Sequence, residues 1–250
     1  MFDLTGCVAV VTGASSGLGA QMAKGLARQG ADIALLARRT DKLAEVAKEI
    51  EDLGVKCIAV KCDVTVKEDI DAAVEKIVAE MGTVDILVNN AGAGTTCPAE
   101  DMPLETWNNY INLNLTAVFM CAQAFGRVML DKGYGRIINI ASMYGIVASI
   151  GTKNSPYAAA KGGVLNLTRQ LASEWASRGV NVNGIAPGYF VSEATTPYLA
   201  VVTPIAEEKT PIHRVGQPGE LDAAVCFLAS KEASYVVGVT IPVDGGYTCV

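Results

Sequence analysis

Three side chains in one stretch of the chain could together move a proton: Ser142, Tyr157 and Lys161. The four-residue step from Tyr157 to Lys161 stacks the two on one face if a helix opens at Pro156, and Pro suits a first helical turn. A phenol ordinarily titrates near pH ~10 and is a poor base at neutrality, whereas a neighbouring ammonium favours the phenolate. The spacing therefore predicts a Tyr157 that titrates close to working pH. Ser142 follows the apolar run 136–141, where a strand would end, leaving its hydroxyl free to hold a carbonyl oxygen. Such a set suits general acid–base chemistry at a carbonyl or a carbinol. A Tyr and a Lys four residues apart also occur in helices that do no chemistry, so the elements around them must supply the context.

Short β-rich runs alternate with longer helical patterns along the chain. Residues 7–12, 32–37, 55–60, 86–89, 136–141, 180–185 and 239–243 read as strands, and 19–29, 41–53, 66–81, 104–131, 157–177 and 220–229 as helices. Gly30, Gly54, Gly82 and Gly179 each follow a helical pattern, as left-handed C-caps do, and Thr65 with Glu68 forms a candidate capping box. Continuous apolar strands between helices predict a doubly wound α/β fold, a seven-stranded parallel sheet covered on both faces. In such sheets ligands bind beyond the C-terminal strand ends, where Thr12, Asn90 and Ser142 would meet. Residues 188–217 lack a clear period and contain Pro197, Pro204 and Pro211, as expected of a lid over a substrate pocket. No linker divides the chain, so residues 1–250 read as one domain.

Composition narrows the function classes. Half of the 250 residues are hydrophobic and 18% are charged, with no apolar run near the ~20 residues of a membrane span. The first residues lack the basic and apolar segments of a signal peptide. Seven scattered Cys without a Cys-x-x-Cys pair argue against a disulfide framework or a metal site and favour a reducing cytoplasm. The net charge of −6 disfavours nonspecific nucleic-acid binding.

Thr12, Gly13, Ala14, Ser15, Ser16, Gly17, Leu18 and Gly19 follow the first strand and open the first helix. Glycines let a backbone approach a pyrophosphate, and amides at a helix N-terminus attract it. Gly13, Ser15 and Gly17 also match the G-x-S-x-G elbow of a serine hydrolase, with His213 downstream as a base. Only about a dozen residues precede this turn, which leaves no earlier loop to build an oxyanion hole.

Taken together, the glycine loop, Asp63 and Val64, Asn89 to Gly92, Asn114, Ser142, Tyr157, Lys161, Pro187 and Gly188, and Asp244 to Gly246 closely resemble the short-chain dehydrogenases/reductases over essentially the whole chain. The resemblance implies a tetrad of Asn114, Ser142, Tyr157 and Lys161. Tyr157 would exchange a proton with the substrate oxygen, Ser142 would orient that oxygen, Lys161 would lower the tyrosine pKa and hold the nicotinamide ribose, and Asn114 would hold a relay water. It implies dinucleotide contacts from Gly13, Ser15, Ser16, Gly17, Leu18 and Gly19, from Asp63 and Val64 at the adenine, from Asn90, Ala91 and Gly92 at the ribose, and from Pro187, Gly188, Phe190 and Ser192. Two departures stand out. The fifteen-residue interval from Ser142 to Tyr157 is longer than usual, which places a bulge over 149–155 at the pocket rim. Ser192 stands where a Thr usually binds the carboxamide. Asn112, two residues before Asn114, reads as an exposed helix residue.

Dinucleotide folds that prefer NAD usually carry an Asp or Glu at the end of the second strand. Here Ala37 takes that place and Arg38 and Arg39 follow, which suits the 2′-phosphate of NADP(H). Substrate contacts are expected from Gly94 to Cys97, Met143, Tyr144, Ser149, Asn154, Tyr189 and segment 192–206. Within the family the resemblance leans to the gluconate 5-dehydrogenase branch, with 3-oxoacyl-carrier-protein reductases and hydroxysteroid dehydrogenases as alternatives; a dinucleotide sensor without turnover is a further class. Helices 104–131 and 157–177 carry apolar residues on more than one face, among them Ala117, Val118, Cys121, Ala122, Phe125, Leu165, Leu167, Leu171 and Trp175. The resemblance implies that these two helices pair in a homotetramer.

Overall fold

The computed structural model describes residues 2–94, 96–149, 152–193 and 195–249. Seven parallel strands form one sheet in the order β3-β2-β1-β4-β5-β6-β7. They are β1 (Val8–Thr12), β2 (Asp32–Ala37), β3 (Cys57–Lys61), β4 (Ile86–Asn89), β5 (Gly135–Ile140), β6 (Val180–Pro187) and β7 (Thr240–Val243). The five central strands carry apolar side chains on both faces and are almost wholly buried, whereas the edge strands β3 and β7 are partly exposed. That is the pattern of a sheet covered on both sides.

The chain reverses direction across the sheet between β1 and β4, whose register pairs Val11 with Val88. Helices α1 (Gly17–Arg28), α2 (Thr40–Glu51) and α3 (Lys67–Met81) follow the first three strands. The 104–132 region holds α4 (Leu104–Ile111) and α5 (Ala117–Lys132), and α6 (Met143–Ile146) and α7 (Ser155–Trp175) follow β5. Helices α8 (Leu199–Lys209) and α9 (Asp222–Ala229) complete the set. One core cluster lies on each face of the sheet: Met22, Leu26, Ile33, Leu35 and Val225 on one side, Leu36, Ile70, Ile77, Leu87 and Phe125 on the other.

Most expected elements lie within two residues of their observed ends, and all four C-capping glycines adopt positive φ, from +83° to +94°. Several expectations need correction. Helix 104–131 is not uniform: a π-helical turn over Asn112–Thr116 interrupts it. Asn112 is half-buried there rather than exposed. Segment 188–217 contains α8, whose interior Pro204 removes one backbone donor and hides the helical pattern. The capping box does not form, because α3 starts at Lys67 and the Thr65 hydroxyl donates instead to Asp63 Oδ1 at 2.7 Å. Of the apolar residues marked for assembly, Ala117, Val118, Cys121, Ala122, Phe125 and Leu171 lie in the protein's own core. Leu165, Leu167 and Trp175 are half-buried, and Phe119 is exposed. Residues Leu104–Lys132 are, among the described residues, the one helical stretch long and apolar enough to cross a membrane, and the buried residues of α5 pack it into the core.

Candidate active site

At the β1 end, the chain must turn sharply and pass close under the end of β4. Gly13 adopts φ +65°, and a Cβ there would stand 2.8 Å from Ala91 Cα; one at Gly19 would stand 2.5 Å from the Gly13 carbonyl oxygen. Hydrogen bonds bolt the two strand ends together. The amides of Asn90 and Ala91 donate to Thr12 Oγ1 at 3.0 and 3.1 Å, and Asn90 Nδ2 donates to the Thr12 carbonyl at 2.9 Å. The N-cap of α1, Ser16, makes no side-chain cap bond, so the helix directs its first amides outward. This cradle, closed to any Cβ and ending on a helix N-terminus, fits a pyrophosphate.

Beside it, Arg39 gathers the two serines of the loop. Its Nη2 donates to Ser16 Oγ at 2.6 Å and to Ser15 Oγ at 3.1 Å, and its Nε reaches Ser15 at 3.3 Å. Glu193, from the connection after β6, takes the other edge of the guanidinium at 2.8 Å. Arg38 points elsewhere, 3.8 Å from Asp63 Oδ2. Burial alone would raise the Asp63 carboxyl, but hydrogen bonds from the Thr65 hydroxyl and amide, with the Arg38 charge, hold it below its ordinary value. Val64 is buried next to it. Arg39 and both serines thus form one cationic, hydroxyl-lined corner, with Arg38 and Asp63 flanking it.

The proton-transfer residues converge at the ends of β4 and β5. Ser142 is the N-cap of α6, and its Oγ accepts from the Tyr144 amide at 3.1 Å. Its hydroxyl also lies near enough to Tyr157 to lower that phenol's pKa. Helix α7 carries Tyr157 and Lys161 one turn apart, with Lys161 Nζ 5.6 Å from the centre of the Tyr157 ring. Two contacts hold α7 against the sheet. A Cβ at Gly145 would stand 2.7 Å from the Lys161 carbonyl oxygen, so α6 and α7 touch backbone to backbone. Deeper, Asn89 Nδ2 donates to Asn139 Oδ1 at 2.9 Å and Asn139 Nδ2 to Thr168 Oγ1 at 3.0 Å, linking β4, β5 and α7.

Asn114 sits in the π-helical turn, fully buried. Its Oδ1 accepts from the Ala93 amide at 3.2 Å, and its Nδ2 donates to the carbonyls of Ala93 and Tyr110 at 3.0 Å each. A Cβ at Gly92 would lie 2.7 Å from Asn114 Oδ1 and 3.5 Å from Lys161 Nζ, so these three positions are contiguous.

The electrostatics differ from the simple expectation for a Tyr and a Lys four residues apart. Burial pushes the Tyr157 phenol up; the Ser142 hydroxyl pulls it down, and Tyr144 pushes it up again. Burial brings the Lys161 amine down to about 8. Lys161 Nζ donates to the Ile140 carbonyl at 2.7 Å. The spacing reports that the two groups are neighbours, but burial disfavours charge on both.

The expected pocket residues form a wall on the far side of Tyr157. Tyr144 and Tyr189 join through their hydroxyls. With Tyr247 they make three edge-on aromatic contacts, centroids 6.0 to 6.3 Å apart. Met143 is buried in the same cluster. At the rim, the Ser149 hydroxyl bonds to Thr152, Asn154 is the N-cap of α7, and the Cys97 amide donates to the Lys153 carbonyl at 2.7 Å. Thr95, Ile150, Gly151 and Ala194, which belong to the expected rim and lid, lie outside the described residues. Pro187 and Phe190 are buried, and a Cβ at Gly188 would press 2.7 Å from Asp244 Cα. The Ser192 side chain faces Thr195 at 3.0 Å. No hydrogen bond joins His213 to the glycine-loop serines among the described residues: its Nδ1 contacts the Glu207 carbonyl, and the Ser15 hydroxyl accepts from Arg39.

Tyr247, and the pairing of Glu193 with Arg39, escape sequence reasoning. Tyr247 adjoins the recognised Asp244 to Gly246 stretch, where the Asp244 carboxylate accepts from the Thr248 amide at 2.9 Å and turns the chain back onto Tyr144. Glu193 follows Ser192 directly but meets a partner 154 positions away. Asn139, a lone amide in an apolar strand, was the available signal for the buried link to α7.

The comparisons with known proteins agree with this arrangement. The family model "short chain dehydrogenase" matches residues 7–200. Over 250 residues the chain is 40% identical to gluconate 5-dehydrogenase of Gluconobacter oxydans (strain 621H), covering 99% of this chain and 97% of that protein. It is 40% identical to 5-keto-D-gluconate 5-reductase of Escherichia coli (strain K12), covering 98% and 97%. A crystal structure of a gluconate 5-dehydrogenase from Burkholderia cenocepacia J2315, in complex with NADP and tartrate, superposes with a TM-score of 0.94 at 38% identity, covering 100% of this chain and 98% of that one. A glycine cradle at β1, a Ser, a Tyr and a Lys gathered beyond the end of β5 and full-length likeness to dehydrogenases lead to one conclusion: the chain belongs to the short-chain dehydrogenase/reductase family and is an oxidoreductase.

Proposed function

We propose that the protein is an NADP(H)-dependent oxidoreductase that interconverts a secondary alcohol and a ketone on a sugar acid such as gluconate and 5-ketogluconate. The observation that carries the cofactor is the Arg39, Ser15 and Ser16 corner, with Ala37 where an acid would oppose a phosphate. The nicotinamide supplies or accepts the hydride. In the reductive direction Tyr157 gives its phenolic proton to the substrate oxygen while Ser142 holds that oxygen in line. Lys161, whose amine sits near neutrality, returns a proton to the phenolate side of the site. Asn114 fixes the strand-end loop at Ala93 and so the floor on which the cofactor ribose rests.

The sugar-acid assignment draws support from the names of the relatives and from the pocket wall. Hydroxyls of Tyr144, Tyr189 and Ser149 offer hydrogen-bond partners that a purely apolar substrate would not use. We further infer that residues 1–250 act as one dinucleotide-binding and catalytic domain with a lid about 188–217. A homotetramer is favoured by Phe119, exposed on α5, and by Leu165, Leu167 and Trp175 of α7, which pack against the core but stay partly open to solvent. A reducing, cytoplasmic setting is favoured by seven free thiols, of which Cys57, Cys62 and Cys226 are pushed up to about 12 by burial.

NADPH oxidation by the purified protein, with kcat/KM compared for 5-keto-gluconate and an acetoacetyl thioester, tests the assignment. Preference for the keto-sugar acid is expected. Preference for the thioester would reassign the enzyme to 3-oxoacyl reduction, activity confined to bulky cyclic ketones would point to hydroxysteroids, and tight NADPH binding with no turnover would make it a sensor.

A further inference from the structure

We propose that Glu193 sets how strongly this protein selects a 2′-phosphorylated dinucleotide, by competing with that phosphate for the Arg39 guanidinium. The inference rests on Arg39 as the phosphate holder. The end of β2 carries no carboxylate in sequence, yet one stands there in space, brought by the connection after β6. Arg39 Nη1 and Nη2 reach Glu193 Oε1 and Oε2 at 2.8 and 3.1 Å, a two-point clasp. The opposite edge of the guanidinium is committed to Ser15. Arg39 first and Ser16 second hold the Glu193 carboxyl down to about 2, so it stays anionic throughout the working range.

A phosphate monoester prefers the same two-nitrogen edge that the carboxylate takes. It must therefore displace Glu193 or lie beside it against like charge. The 2′-hydroxyl of a non-phosphorylated ribose faces no such conflict, since it can donate a hydrogen bond to the same carboxylate. Both side chains are half-exposed, 48% for Arg39 and 52% for Glu193, so the clasp can open without disturbing the core. One residue thus opposes the phosphorylated cofactor and tolerates the other, narrowing a preference that Arg39 and the serines create.

The test is calorimetric binding of 2′,5′-ADP and 5′-AMP, which differ only in the 2′-phosphate, to the wild-type protein, Glu193→Gln, Arg39→Ala and the double variant. Glu193→Gln is isosteric at an exposed site. It should bind 2′,5′-ADP roughly three- to tenfold more tightly and 5′-AMP no more tightly. In the Arg39→Ala background the same substitution should change the ratio of the two affinities by less than about twofold. Unchanged or weaker 2′,5′-ADP binding by Glu193→Gln overturns the proposal, as does an equal gain without Arg39. A wild-type protein indifferent to the 2′-phosphate defeats the NADP(H) reading alone if Glu193→Gln acquires a preference, because the competition is then complete; if neither protein discriminates, both readings fall.

Discussion

Replacing Lys161 with Met should make the protein more stable at neutral pH while removing its activity. The amine is 3% exposed, and burial lowers it from 10.5 to about 8. Below about pH 8 the folded protein carries a buried charge that the unfolded chain holds in water, a penalty of about 3 kcal/mol. Met is unbranched, of similar reach and free of that penalty. Its cost is the lost hydrogen bond to the Ile140 carbonyl, about 1–2 kcal/mol. The difference leaves Lys161→Met more stable by about 1–2 kcal/mol near pH 7, a gain of several degrees in Tm for a chain of this size. Between the folded and unfolded pKa values the unfolded state binds more protons, so wild-type stability rises with pH. From about pH 7 to about pH 9.5 it should recover about 2 kcal/mol, and the advantage of Lys161→Met should vanish or reverse. Urea unfolding followed by circular dichroism at several pH values measures both terms. A variant less stable than wild type near pH 7, or a gap that does not close with pH, would refute the claim that burial dominates at Lys161.

Tyr157→Phe should keep NADPH affinity within about twofold in a fluorescence titration and lower kcat by at least ~100-fold, since it removes only the exchangeable proton. His213→Ala, which removes a group bonded to the Glu207 carbonyl and to neither serine of the glycine loop, should leave kcat nearly unchanged; the reverse pattern would revive a hydrolase. Gly19→Ala would drive a methyl to 2.5 Å from the Gly13 carbonyl oxygen, so the loop must shift. Urea unfolding should show a loss of about 1–3 kcal/mol, together with weakened dinucleotide binding. Wild-type stability with intact binding would mean that the cradle is looser than its contacts imply.

The strands were legible because apolar runs with clear polar borders leave little choice: Asp32 opens β2 and Asn89 closes β4 where the sequence places them. The convergence of Ser142, Tyr157 and Lys161 was legible through the spacing and the strand end. Their electrostatics were not, because a four-residue step reports proximity and says nothing of how much water remains. Helix α8 stayed hidden behind Pro204, and the Asn112–Thr116 turn inside a pattern that reads as one continuous helix over 104–131. Glu193 and Tyr247 belong to a further kind: each meets its partners only after the chain has crossed the sheet, and no local pattern marks such meetings.

The π-helical turn also has a consequence for phase. Such a turn amounts to one residue inserted into an α-helix, and one residue is about 100° of rotation. Within the turn, Asn114 must face Ala93; downstream, Ala117, Val118, Cys121 and Phe125 must face the sheet. The inserted residue changes the phase of α4 relative to α5 by that angle, so α4 need not continue the face that α5 buries. It acts as a rotary joint between α4, which has no fully buried residue, and the core-facing α5, so the length of this segment carries as much information as its composition.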